Sequence, residues 1–306
     1  MEFKGQHILS TKQFNKEDLL ALFEEARKME EVLARGGNDQ LKGKIMATLF
    51  FEPSTRTRFS FETAMLRLGG SVISNPDMMA TSSLRKMESL IDTGKTVSRM
   101  ADIIVMRHPE AGTVHELATS SIVPVLNAGD GPAEHPTQAL LDVYTIWKEK
   151  GRLDGLTIGM VGDLKNGRVP HSQCRLLKHF EVKFVFVSPE ALKMPDDIVQ
   201  ELKENSREMR VTENIEEAIS EMDVIGMTRV QKERFSSEEE YKKYAGIFVL
   251  DVELMKRAKS DAIVIHPLPR VDEISVDVDS DPRAKYFDQV HNGVVLRMAL
   301  LSKILT

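Results

Sequence analysis

Cysteine is nearly absent from this chain. Cys174 is the single one in 306 residues, which excludes an intrachain disulfide and any cysteine-rich zinc site. An excess of positive charge is also missing. Forty-seven acidic against 41 basic side chains leave a formal net charge of −6, which argues against a general nucleic-acid binder and makes a local cluster of arginines stand out. No apolar run approaches membrane-spanning length, and the start Met1-Glu2-Phe3-Lys4-Gly5-Gln6-His7 lacks the order of a signal peptide. The expectation is therefore a cytoplasmic protein that inserts in no membrane. Tandem repeats and low-complexity stretches are lacking too. What remains is ordinary soluble composition, 42% hydrophobic and 29% charged, in a chain long enough for two modest domains.

The stretch that organises the chain is Phe51-Glu52-Pro53-Ser54-Thr55-Arg56-Thr57-Arg58. The apolar run from Lys44 to Phe51 predicts a buried strand. Phe61, Ala64, Met65 and Leu68 then recur at helical spacing until Gly69-Gly70. Pro53 disfavours a helix before Ser54, whose hydroxyl is placed to cap the new helix. A strand thus runs into a helix N-terminus carrying three hydroxyls and two guanidiniums, a site for a phosphate-like anion. The dipole contributes roughly 0.3–1 kcal/mol, whereas each hydrogen bond to a charged group adds about 1.5–3 kcal/mol. A doubly charged anion therefore needs Arg56 and a second cation more than it needs the dipole.

Elsewhere, Asn15 caps a first predicted helix through Leu33 to Gly36-Gly37. A short strand, 71–74, is followed by a polar loop over 75–86 and a helix over 88–100. Strands are predicted at 103–107 and 123–126, with a turn over Asn127-Ala128-Gly129-Asp130-Gly131 and a helix from Pro136 to about 150. A second series follows, with strands at 156–161, 182–187, 224–227 and 262–265, and a last helical segment over about 284–305. This alternation predicts an α/β protein of two domains, each a parallel β-sheet with helices on both faces, joined by long helices. In such sheets ligands bind beyond the carboxyl ends of the strands. Arg107 ends one strand there, and His135, Thr137 and Gln138 follow another. Gly162-Asp163-Leu164-Lys165-Asn166-Gly167-Arg168 is not the glycine pattern of a dinucleotide site. Arg168 and Arg229, each just past a strand, can bind two carboxylates of one small ligand. Cys174 reads as a packing residue and His171 as structural.

The run Phe50 to Thr57 resembles the signature Phe-x-Glu/Lys-x-Ser-Thr-Arg-Thr of the aspartate/ornithine carbamoyltransferase family, and ordered motifs continue the resemblance over nearly the whole chain. These are Arg107-His108-Pro109, Gly129-Asp130-Gly131 with His135-Pro136-Thr137-Gln138, Gly167-Arg168, and His266-Pro267-Leu268-Pro269. The resemblance implies a carbamoyl-phosphate-binding domain of residues 1–135 and 290–306, an interdomain helix 136–150 and an aspartate-binding domain 151–289. It implies phosphate binding by Ser54, Thr55, Arg56, Thr57 and Arg107, with Ser82 and Lys86 supplied by a neighbouring chain. Arg56, Thr57 and His135 are implied at the carbonyl oxygen, with Lys86 also counted as catalytic, and Gln138 at the carbamoyl nitrogen. Arg168, Arg229 and Gln231, with the Pro267 and Leu268 carbonyls, are implied for the acceptor. The expected assembly is a homotrimer with active sites at subunit interfaces. Contact with regulatory chains is left open, and no cofactor or metal is expected.

Charge selects the acceptor. Ornithine carries an extra ammonium and needs a facing carboxylate; aspartate carries an extra carboxylate and needs a facing cation, as Arg168 and Arg229 provide. The ornithine enzymes characteristically have His-Cys-Leu-Pro where this chain has His266-Pro267-Leu268-Pro269. The expectation is carbamoyl transfer from carbamoyl phosphate to aspartate, a step of pyrimidine synthesis. The rivals are another carbamoyltransferase, using ornithine or a related amine, and a non-catalytic oligomer that binds anionic metabolites. The chain departs from the family pattern at Leu84 and Met87, often glycine, at Asn166 for a tyrosine, at Val169-Pro170 for Thr-Val, and over Glu110-Ala111-Gly112-Thr113.

Overall fold

The apolar runs of the first half pair as one parallel sheet. The structure is a computed structural model that describes residues 2–81 and 88–306. Strands β1 (Ile45–Phe50), β2 (Ser71–Asn75), β3 (Ile103–His108) and β4 (Val125–Asp130) lie in the order β2-β1-β3-β4. Ile103 to Met106 are fully buried, so substituting one by alanine would cost on the order of 2–5 kcal/mol. Helix α1 (Lys16–Ala34) is capped by Asn15, whose side chain accepts from the Asp18 N–H while Asp18 accepts in return. It buries Leu19, Leu22, Phe23, Ala26 and Met29. Helices α2 (Thr55–Arg67), α3 (Met78–Thr81), α4 (Leu90–Val97), α5 (Thr113–Ala118) and α6 (Pro136–Lys150) follow. Val114, Leu117 and Ala118 of α5 and Met78 of α3 pack on Ala47, Leu49, Ile104 and Met106.

The second sheet comprises β5 (Thr157–Gly162), β6 (Lys183–Val187), β7 (Glu208–Thr212), β8 (Val224–Thr228) and β9 (Ile263–Ile265), ordered β7-β6-β5-β8-β9 with every pairing parallel. Helices α7 (Arg168–Leu177), α8 (Asp196–Glu204), α9 (Ile215–Ala218), α10 (Glu238–Lys242) and α11 (Val252–Met255) belong with it. Its core joins Val161, Val185, Val187, Ile225, Met227 and Val264 to Ile219, Met222 and Leu250. The closing helix is α12 (Asp288–Leu305). The chain separates into two compact units, Met1–Leu141 with Val290–Thr306, and Asp142–Gln289. No helix among the described residues is long and apolar enough to cross a membrane.

Three local expectations are corrected, and two elements appear that none foresaw. Residues 127–130, expected as a turn, extend β4, because the backbone pairs with β3 as far as His108 opposite Asp130 across an irregularity in register. The loop expected over 75–86 contains α3, started by Asp77 Oδ1 accepting from the Ala80 N–H. The helix expected over 88–100 spans only Leu90–Val97, because Ser89 caps it by accepting from the Asp92 N–H. Strand β7 and helix α5 were not anticipated. β7 is a half-exposed edge strand with charged residues at Glu208 and Arg210, so it lacks the apolar run of a central strand.

Candidate active site

Strand order locates the sites. In the first sheet the chain leaves β1 for β2 on one side, while β3 lies on the other. In the second, β5 is flanked by β6 and β8. The β1/β3 and β5/β8 boundaries are topological switch points, where the carboxyl ends of parallel strands open a crevice. Ser54 to Thr57 follow β1 and Arg107 is in β3, in register with Phe50. Asp163 to Arg168 follow β5, and Arg229 and Gln231 follow β8.

In the first unit, Ser54 occupies the N-cap position of α2 at φ −157° and ψ 94°, yet its hydroxyl makes no cap hydrogen bond. The expected hydroxyl cap is therefore corrected: the backbone enters the helix without it. The leading N–H groups of α2 have no partner inside the helix, so hydroxyl and amides together remain available to an anion. Arg56 is exposed, and partial desolvation draws its guanidinium below the usual arginine range. Thr57 is buried with its Oγ1 3.5 Å from His135 Nε2, and His135 is buried too. Two helix starts thus converge: Thr57 is in the first turn of α2, and His135 immediately precedes α6, its carbonyl accepting from the Gln138 and Ala139 N–H groups. Pro136 is the first residue of α6, as its fixed φ and missing N–H suit.

Arg107 is largely buried. Its Nη1 donates to the Ala128 carbonyl at 3.4 Å, its Nη2 lies 2.8 Å from Glu52 Oε2, and its Nε has no hydrogen-bond partner among the described residues. Burial pushes this guanidinium below its ordinary value; Glu52 opposes that and the charge of Arg56 adds to it. A buried cation with an unspent donor beside a helix start suits a dianion. His108, next in the motif, is structural: its Nδ1 accepts from the Glu110 N–H at 3.0 Å, and burial lowers its pKa. Gly131, at φ +50°, has room for no side chain, since a Cβ would stand 2.6 Å from the Ala111 nitrogen. Ser82 and Lys86 lie outside the described residues, as do Leu84 and Met87.

In the second unit, Arg168 is the first residue of α7 and Pro170 sits in its first turn; Arg168 and Arg229 are both half-buried. Gly162, at φ +120°, lies so close to β8 that a Cβ would be 2.1 Å from the Thr228 carbonyl oxygen. Asp163 is fully buried. It accepts from the Asn166 N–H at 3.0 Å, from Asn166 Nδ2 at 3.1 and 3.0 Å, and from the Gln231 N–H at 3.4 Å. Gln231 Nε2 in turn donates to the Asn166 carbonyl at 3.0 Å. Asp163 and Asn166 therefore tie the loop after β5 to the loop after β8, and Gln231 is engaged in that tie. Pro267 and Leu268 follow β9. His171 is structural, with Nε2 2.6 Å from the Leu164 carbonyl oxygen. Cys174 is buried, its thiol pushed up by burial out of the range of a nucleophile.

Sequence reasoning assigned no role to Glu52, Asp163 or Asn166. The signal for Glu52 was its place inside the signature, one residue before Pro53. For Asp163 and Asn166 it was an Asp-x-x-Asn turn directly after a strand.

An α/β protein with a helix start and the cation Arg107 at one switch point, and the guanidiniums of Arg168 and Arg229 following strands at another, has the arrangement suited to a phosphorylated donor and an anionic acceptor. Two family models match, aspartate/ornithine carbamoyltransferase, carbamoyl-P binding domain, over residues 6–148, and aspartate/ornithine carbamoyltransferase, Asp/Orn binding domain, over residues 154–304. The chain belongs to the aspartate/ornithine carbamoyltransferase family. It is 49% identical over 304 residues to the aspartate carbamoyltransferase catalytic subunit of Methanopyrus kandleri, covering 99% of this chain and 98% of that one. It is 50% identical over 302 residues to the corresponding subunit of Thermococcus kodakarensis, covering 98% and 97%. A crystal structure of the aspartate transcarbamoylase of Trypanosoma cruzi in complex with carbamoyl phosphate and aspartate superposes with a TM-score of 0.94 at 42% identity, covering 99% of this chain and 98% of that one.

Proposed function

We propose that this chain transfers the carbamoyl group of carbamoyl phosphate to the amino group of L-aspartate, giving N-carbamoyl-L-aspartate and phosphate. The observation that carries the reading is the approach of Thr57 Oγ1 to His135 Nε2 at two helix starts, with Arg107 in the strand next to β1 and in register with Phe50. It supports a phosphate and an adjoining carbonyl held by one set of donors. Likeness to aspartate carbamoyltransferases over almost the full chain supports the acceptor, as do the cations Arg168 and Arg229.

In this reading Ser54, Thr55, Arg56, Thr57 and Arg107 bind the phosphate, and Gln138 holds the carbamoyl nitrogen. Arg168, Arg229 and Gln231 bind aspartate, and the Pro267 and Leu268 carbonyls orient its amine. Gln231 then exchanges its bond to the Asn166 carbonyl for the substrate. The amine attacks the carbonyl carbon, and negative charge gathers on the carbonyl oxygen, facing Arg56, Thr57 and His135. The C–O bond to phosphate breaks as the N–C bond is completed, and the departing phosphate accepts the amine proton. Catalysis is orientation plus electrostatic stabilisation, in which one such donor is worth about 10²–10³ in turnover.

Assays of the purified chain with carbamoyl phosphate and each acceptor separately test the reading: carbamoylation of aspartate and not ornithine is expected, and the reverse overturns it. The proposed working form is a cytoplasmic homotrimer in which Ser82 and Lys86 serve a neighbouring chain's phosphate site. Arg56→Ala and Lys86→Ala chains, each nearly inactive, should regain activity when dissociated and reassembled together. Mixed oligomers that stay inactive count against sharing.

A further inference from the structure

A buried relay shapes the segment after β9. His266 and Glu273 are 2% and 4% exposed. The Leu268 N–H donates to His266 Nδ1 at 2.8 Å. A backbone amide can only donate, so Nδ1 carries no proton and the neutral ring carries it on Nε2. That nitrogen lies 2.6 Å from Glu273 Oε1 and donates to it. The other carboxylate oxygen of Glu273 accepts from the Val271 and Asp272 N–H groups, each at 3.1 Å. From the opposite side the His266 N–H donates to Gln289 Oε1 at 2.8 Å, and Gln289 Nε2 donates to the buried Asp142 Oδ1 at 2.7 Å. Both ring nitrogens and the backbone N–H of His266 are thus engaged, which fixes the orientation of the ring.

Leu268 is where this matters. It sits at φ +53°, a left-handed conformation in a residue with a side chain, which costs about 1–2 kcal/mol. A backbone held there needs a compensating contact, and the bond to His266 Nδ1, set in place by Glu273, is one. We propose that the Glu273–His266 pair is a positioning device for the acceptor, setting the Leu268 peptide and through it the direction of the Pro267 and Leu268 carbonyls. The inference rests on the proposed assignment of those carbonyls to the amine of aspartate. His266 and Glu273 touch no substrate; they act through the backbone between them.

Three substitutions in the full-length chain test it. His266→Asn keeps a side-chain oxygen able to accept from the N–H two residues on but gives up Glu273. His266→Phe keeps the ring and loses the acceptor. Glu273→Gln keeps the size but sets an amide donor against His266 Nε2–H or against the backbone donors. Steady-state kinetics with each substrate varied should show His266→Phe raising KM for aspartate about tenfold, the loss of one buried bond, with KM for carbamoyl phosphate within about twofold of wild type. His266→Asn should recover most of that loss, and Glu273→Gln should fall between the two. Equal losses in His266→Asn and His266→Phe, or KM values for both substrates rising together, overturn the proposal. Should His266→Phe fail to fold, amide exchange decides. A Leu268 amide that is slow in wild type and about tenfold faster in Glu273→Gln supports positioning, and equal rates overturn it. Wild-type enzyme that ignores aspartate removes the underlying assignment and this inference with it, whereas an active wild type with unmoved variants removes this inference alone.

Discussion

Arg107 Nη2 lies 2.8 Å from Glu52 Oε2, a contact between the penultimate residue of β3 and the segment that leads from β1 into α2. Apart from this contact, Glu52 Oε2 has no partner among the described residues, so the carboxylate is committed to Arg107. A phosphate approaching Arg107 meets a carboxylate already there. Arg107→Ala should weaken carbamoyl phosphate binding by roughly 10–100-fold, the worth of a charged hydrogen bond. Glu52→Gln should act in the opposite direction on inorganic phosphate, tightening its dissociation constant by about threefold. Titration calorimetry of both variants checks the two signs, and weaker phosphate binding in Glu52→Gln would mean that the carboxylate orients Arg107 instead of competing for it.

His135 stands 3.5 Å from Thr57 Oγ1 and is buried, so an alanine there deletes a donor that no solvent replaces. His135→Ala should lower kcat by about 10²–10³, with a smaller change in KM for carbamoyl phosphate, because the interaction strengthens as charge develops on the carbonyl oxygen. A KM effect with kcat unchanged would assign His135 to ground-state binding.

The residue before it is clamped from the start of the chain. Glu134 Oε1 accepts from Ser10 Oγ at 2.7 Å, and Oε2 accepts from the Thr11 N–H at 2.8 Å and Thr11 Oγ1 at 2.7 Å. Ile8 also bridges to Leu126 of β4 in parallel register. Thr11→Val should cost about 1 kcal/mol in unfolding free energy, and Glu134→Ala about 1–3 kcal/mol, since it strands three donors. Denaturant unfolding measures both. A Glu134→Ala loss no larger than that of Thr11→Val would show that water replaces the clamp.

Glu273 carries a pH signature. Burial alone would raise its pKa, but the hydrogen bond from His266 and those from backbone amides outweigh it and lower the carboxyl from 4.5 to about 2. A depressed carboxylate contributes stability that is fully present above the unfolded value and is lost as pH falls through the folded one. Wild type should therefore lose stability between pH 4.5 and about 2 more steeply than Glu273→Gln, which has no proton to take up there. Equilibrium unfolding at a series of pH values compares the slopes; parallel slopes would mean that Glu273 titrates normally.

Much of the architecture was legible because strand and helix periods alternate cleanly: β1, β3, β5, β6, β8 and β9 all lie on apolar runs apparent in the chain itself. β7 was not, because an edge strand has little apolar surface to announce it. The end of β4 was not either, because Asn127, Gly129 and Asp130 have turn-like local preferences that pairing with β3 overrides. At the candidate site, residue types in the ordered motifs pointed to the chemistry, while the partners that hold them lie far off in the sequence. Glu134 answers to Thr11, Gln231 to Asn166, and Gln289 to His266.

By itself, the amino-acid sequence determined the class of chemistry: which side chains carry charge, which hydroxyls sit beside a helix start, and where apolar runs demand burial. Those are properties of neighbours along the chain. Strand order was decided only in the folded protein. It set β3 beside β1 and β8 beside β5, so that Arg107 stands next to the β1 turn, and Gln231 next to the β5 loop. Parallel strands pair across long loops according to how whole faces pack, and no stretch of a few residues carries that information.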